Sequence, residues 1–251
     1  MLWPIKLTSL LVILLITLVS GSYPFLRRAK TKAKLPQFPI GESLAAGVFL
    51  GAGLIHMLGT SSQEFYKLHA GYPWAFVITG TMFLLLLLLE HIGREIFKKR
   101  GEASVAFAVL ATIMLSIHSF LMGAALGFSN TLPVFIVILL AILAHKWAVS
   151  FSLAIRINQS EFKFSGGMLL FGVFAIMTPL GILCGTVATN YLHQNTLLEP
   201  VFSALAAGTF LYLGTLHGLE KATLIKQCCE LNRYYFVILG FAIMAVVAIW
   251  T

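Results

Sequence analysis

The chain has 251 residues, 59% of them hydrophobic and 10% charged, with a mean hydropathy of +0.93. These values exclude a soluble globular domain with an ordinary charged surface and make lipid the expected solvent. A net charge of +8 would suit a nucleic-acid binder, but the basic residues are scattered over short connectors and not gathered on one face, so no nucleic-acid partner is expected.

Eight stretches reach the roughly 20 apolar residues that a spanning helix needs. The first, residues 7–26, follows Lys6 and ends near Ser20, Gly21 and Ser22, which imitates a signal peptide. Cleavage there would strand the cluster Arg27 to Lys34 on the outer side, so the stretch reads as a span. The second, 43–63, carries His56, and the third, 71–89, runs up to Glu90. The fourth, 103–128, carries His118, Ser119 and Met122; the fifth, 133–155, carries His145 and Lys146. The sixth is 164–190, the seventh, 200–219, carries His217, and the eighth is 234–251. Little remains outside them, which predicts one all-α membrane domain over 1–251. Cys184 lies within a span and Cys228 and Cys229 are adjacent, so reduced thiols are expected and not a disulfide framework.

The charges orient the spans. With the N-terminus outside, 14 of the 17 Lys and Arg fall on cytoplasmic connectors, against Lys6 and Lys67 outside and Lys146 within a span. The positive-inside rule therefore predicts both termini on the non-cytoplasmic side of a multi-pass protein. Trp3, Trp74 and Trp250 then mark the outer interface, and Tyr23, Tyr234 and Tyr235 the inner one.

One internal repeat is visible. Residues 45–58 (AAGVFLGAGLIHML) and 206–219 (AAGTFLYLGTLHGL) share eight identities in fourteen, including His56 with His217. The two copies fall on spans of opposite direction, which predicts an inverted repeat of spans 1–3 and 6–8 with spans 4 and 5 between them. Transporters with such repeats place the substrate near the midplane at the repeat interface. The repeated glycines also fit close helix packing, and both readings can hold together.

With no Asp in the chain and most of the nine Glu at connectors or span ends, the polar residues deep in the spans are few: His56, His118, Ser119, His145, Lys146 and His217. Ionisable groups in a bilayer cost several kcal/mol and mark function by default. A lone His there serves as a hydrogen bonder between helices as readily as a ligand. Four on separate helices, each near the middle, favour a metal path, since neutral imidazole brings a lone pair without a charge to desolvate. His118 and Met122 are four residues apart and share a helix face.

HSFLMGAALG at 118–127, HKWAVSFSLAIRI at 145–157, MTPLG at 177–181 and AAGTFLYLGTLH at 206–217 resemble, in order and spacing, the fourth to seventh spans of the ZIP (Zrt/Irt-like) metal transporters. GVFLGAGLIHM at 47–57 is similar to the second span, and the His145-Lys146 pair resembles the animal subgroup with a single metal position. The resemblance implies eight helices arranged three, two and three, and a non-enzymatic importer of zinc or a related divalent metal. The metal is the substrate, and no prosthetic group is implied. By position, His118 and His145 are similar to the family's metal ligands, Ser119 to a neighbouring polar ligand, and Lys146 to the residue filling a second metal position. His56 matches a pathway residue on span 2, and Glu90 an acid on span 3.

The chain departs from the family at Met122 and His217, where glutamates are usual, and at Thr60, where an acid often stands. Neutral, softer donors hold a free dication less strongly, so weak zinc transport, a shift toward a softer ion such as Cu(I), or a metal-binding protein impaired in transport are the alternatives. A membrane zinc metallohydrolase is the rival from another class, though it needs a nearby base that the absence of Asp and the presence of Met122 withhold. The partners expected are the metal ion and the lipid bilayer, with a second copy of the chain as a candidate.

Overall fold

The computed structural model describes residues 3–30, 38–68, 71–98, 103–160, 162–189, 197–215 and 231–249. Its described residues form helices alone: α1 (Trp3–Lys30), α2 (Pro39–Lys67), α3 (Trp74–Lys98), α4 (Ala103–Phe128), α5 (Leu132–Gln159), α6 (Phe164–Ala188), α7 (Leu198–Tyr212) and α8 (Leu231–Val247). Stretches within α1 to α6 are long and apolar enough to cross a membrane; α7 and α8 are apolar but shorter. Leu11 and Leu15 of α1, Leu84 and Leu88 of α3, and Leu169 and Ile176 of α6 are exposed, an outer surface suited to acyl chains.

Helix ends follow backbone chemistry more than hydropathy. α3 begins at Trp74, just past Pro73, and continues to Lys98, nine residues beyond the apolar stretch ending at 89, because Glu, Arg and Lys propagate a helix as well as Leu does. The described part of α7 stops short of the expected 219, and His217 lies outside the described residues. Lys6, expected on the outer side, is buried on α1 and donates to the Gly127 carbonyl at 2.6 Å. An ammonium there satisfies a last-turn carbonyl of α4 that has no helical partner.

The packing has a pattern. α4 lies on α6 as α5 lies on α1, and α2 lies on α8 as α7 lies on α3; α2 crosses α7 and α4 crosses α5. Exchanging α1 with α6, α2 with α7, α3 with α8 and α4 with α5 leaves this set of neighbours unchanged. Local detail agrees at the α2–α7 crossing, where Phe49 meets its repeat counterpart Phe210 with ring centroids 5.2 Å apart. Gly53 faces Leu211, and reciprocally Gly214 faces Leu50. Even the helix irregularity repeats: α2 is π-helical over Ala52–Met57, and α7 turns π-helical at Leu213, the counterpart of Ala52.

The α4–α6 contact is a small-residue seam, since lipid-embedded helices gain by close van der Waals approach. A Cβ at Gly181 would strike the Phe120 carbonyl, and one at Gly123 the Thr178 carbonyl, both backbone atoms that cannot swing aside. Gly172, on the same α6, has nothing within 4 Å of such a Cβ. Gly181→Ala is therefore expected to cost at least about 1–3 kcal/mol through overpacking, while Gly172→Ala is neutral or stabilising by roughly 0.5–1 kcal/mol. Thermal unfolding of the two detergent-solubilised variants, read side by side, checks the contrast.

Candidate metal site

Two of the sequence-predicted residues, His118 and His145, meet where α5 packs on α4, close to the packing of α7 on α4. His118 stands near the middle of α4 and His145 near the middle of α5, at 2% and 1% exposure, with ring centroids 5.9 Å apart. Met122, buried one turn after His118, lies on the same face of α4. His56, in the π-helical segment of α2, lies within electrostatic range of His145. π turns interrupt helices most often at functional sites, because the widened turn redirects the side chain it carries.

Phe210 of α7 is wedged against the pair. Its ring lies 4.1 Å from His118, tilted by 31°, and 5.0 Å from His145, edge-on at 84°. The preceding residue, Thr209, brings its Oγ1 to 3.3 Å from His118 Nδ1. The Nδ1 atom of His56 is buried and makes no hydrogen bond. A buried polar atom without a partner costs roughly 1–3 kcal/mol, a cost that an arriving cation would remove. Two buried neutral imidazoles and a thioether suit a transition-metal ion better than a hard alkaline-earth ion. Among the described residues, no group of three or more His, Cys, Asp or Glu is placed to hold a metal, so the donor set is short of carboxylate charge.

Lys146 does not reach for the interface. Its Nζ donates to Ser119 Oγ at 3.0 Å and to Thr178 Oγ1 at 2.8 Å, and stands 4.4 Å over the Phe174 ring. The bonds and the cation–π contact join α5 to α4 and α6. They also engage Ser119, whose hydroxyl oxygen accepts from Lys146 and keeps only its remaining lone pair for anything else.

Glu90 is buried in a different neighbourhood. It accepts a short hydrogen bond from the Tyr212 hydroxyl, and Arg156 of α5 lies in the field of both Glu90 and Glu42. Gln159 in turn donates to Glu42 at 3.2 Å. This group ties α2, α3, α5 and α7 by charge and hydrogen bonds. His217 falls outside the described residues.

Sequence reasoning did not single out Thr209, Phe210, Thr178 or Phe174. One signal for Thr209 was present: it is the first mismatch within the repeat, standing where the other copy has Val48. Phe174 gave none, since an aromatic residue in a wholly apolar helix is indistinguishable from packing.

Residues 99–248 match the family described as ZIP zinc transporter. The chain is 27% identical to zinc transporter ZIP2 of Mus musculus, over 98% of this chain and 98% of that protein. It is 26% identical to zinc transporter 11 of Arabidopsis thaliana, over 98% of this chain and 85% of the relative. Identity rises to 38% with zinc transporter ZIP1 of Danio rerio, over 62% of this chain and 52% of that protein. A match running from the start of α4 to the end of α8, on a bundle of apolar helices, places this chain in the ZIP family of metal transporters.

Proposed function

We propose that this multi-pass membrane protein moves a divalent metal ion, zinc foremost, into the cytoplasm by alternating access through a histidine-lined site between α4 and α5. The observation that carries the reading is the pair His118 and His145, two buried imidazoles on neighbouring helices with ring centroids 5.9 Å apart. The naming of the relatives as zinc transporters supports the choice of ion. Members of this family are transporters and not enzymes, which sets aside the metallohydrolase.

In this reading His118 and His145 take the ion first, Met122 adds a soft donor from the same face of α4, and His56 and His217 flank the path from the two repeat copies. Ser119 and Lys146, bonded to each other, border the site, and Glu90 receives the ion later, beside Tyr212. Neutral donors are cheaper to bury empty than carboxylates, and they hold a dication less tightly. A carrier gains from that, because an ion bound too firmly is not released.

Eight crossings arranged three, two and three, with spans 1–3 and 6–8 as an inverted repeat, belong to the same proposal. The exchange of packing partners, the Phe49–Phe210 contact and the matched π turns support it. So does the charge distribution for termini outside the cytoplasm.

Zinc uptake into proteoliposomes tests the function: metal-dependent flux is expected, and His118→Ala or His145→Ala should lower it at least about tenfold, the equivalent of 1.4 kcal/mol of binding. No flux of zinc, iron, manganese or copper removes the transport claim; zinc binding without flux identifies a metal-binding protein that has lost transport. Orientation has its own check, in a chain stripped of its three cysteines. A cysteine at Thr131, exposed between α4 and α5, should react with an impermeant maleimide added outside intact cells, and one at the exposed Lys163 only after permeabilisation.

A further inference from the structure

We propose that Thr209 is a positioning residue for the metal path, fixing the tautomer of His118 so that Nε2 presents its lone pair to the ion. This rests on the reading that His118 is a ligand. A threonine hydroxyl has one proton to give. Two acceptors lie within its reach: the Ala206 carbonyl at 2.6 Å and His118 Nδ1 at 3.3 Å. The first separation is that of a strong O–H···O bond, so the carbonyl takes the proton and an oxygen lone pair is left facing the ring.

A bare Nδ1 there would set lone pair against lone pair in a dry site, where an unmade hydrogen bond is costly. Nδ1 therefore carries the hydrogen and donates to Thr209 Oγ1. Neutral imidazole has a single N–H, so Nε2 is the open donor. Phe210, the next residue, stacks on the same ring at 4.1 Å. Consecutive residues of α7 thus set both the plane and the tautomer of a histidine 91 positions away in the chain. Outer partners of this kind orient metal-binding histidines in general.

The chain supplies its own control. Val48 occupies the position of Thr209 in the first repeat copy, inside the same Ala-Ala-Gly-x-Phe-Leu frame, and packs fully buried there. Thr209→Val has nearly the same shape and removes only the acceptor.

The test uses the purified full chain with nitrogen-labelled histidine, free of metal, and then zinc titrated against a competing chelator. The expected result is an Nδ1–H form of His118 in the native chain. Thr209→Val should show mixed or Nε2–H tautomers with zinc bound roughly 10- to 100-fold more weakly, and Thr209→Ser should restore both. An Nε2–H His118 in the native chain overturns the proposal even where the valine variant fails to fold. Zinc binding that His118→Ala abolishes and Thr209→Val leaves unchanged overturns it too, and leaves the metal site standing. Tautomer control by Thr209 in a chain that binds no zinc upholds the contact and removes the zinc-site reading instead.

Discussion

The contact that joins Phe210 to Phe49 on one side and to His118 and His145 on the other links the architecture of this bundle to its chemistry. The two phenylalanines are counterparts in the repeat and meet at the crossing of α2 and α7, so any rotation of one repeat copy against the other must move Phe210. Because the same ring packs on both imidazoles, that movement cannot leave the histidine pair untouched. Protein interiors transmit such shifts because they are packed without slack. A single aromatic residue therefore couples the α2–α7 contact to the histidine pair.

Around that centre the polar groups are arranged by what a low dielectric tolerates. A neutral hydroxyl, that of Thr209, lies beside the His118 ring, and the Lys146 amine has two hydroxyl acceptors and an aromatic face. The carboxylates Glu42 and Glu90 keep apart from this region, with Arg156, Gln159 and Tyr212 around them. Separation of this kind is economical, since a charge in the interior needs both a counter-charge and hydrogen bonds to be tolerable.

Much of this was legible in the sequence because lipid imposes simple rules. Hydropathy located the helices, and α4 occupies the very residues, 103–128, that its apolar run predicts. The histidines stood out for the complementary reason: a polar residue in an apolar run needs a partner inside the bundle. What hydropathy conceals is rotation about the helix axis. In a helix apolar on every side, the 3.6-residue period carries almost no information about which face is inward, so nothing marked Phe210 or Phe174 as neighbours of the site. The burial of Lys6 was hidden for a related reason: nothing in the sequence marked which way its long apolar stem lies, and its amine finds the Gly127 carbonyl.

The repeat carries further than either hydropathy or single residues, and its mismatches say more than its identities. The identical pair Gly53 and Gly214 keeps α2 and α7 close, while Gly47 lets α2 approach α8 and Gly208 lets α7 approach α3. Val48 against Thr209 breaks the symmetry at one hydroxyl, beside His118. Tyr212 stands where the first copy has Gly51, and it is the residue that bonds to Glu90. Both departures add a polar group to α7 that α2 lacks, and both reach functional candidates on other helices. The two similar segments thus present unlike faces where they meet: Thr209 and Tyr212 both stand within two residues of Phe210, whose ring packs on Phe49.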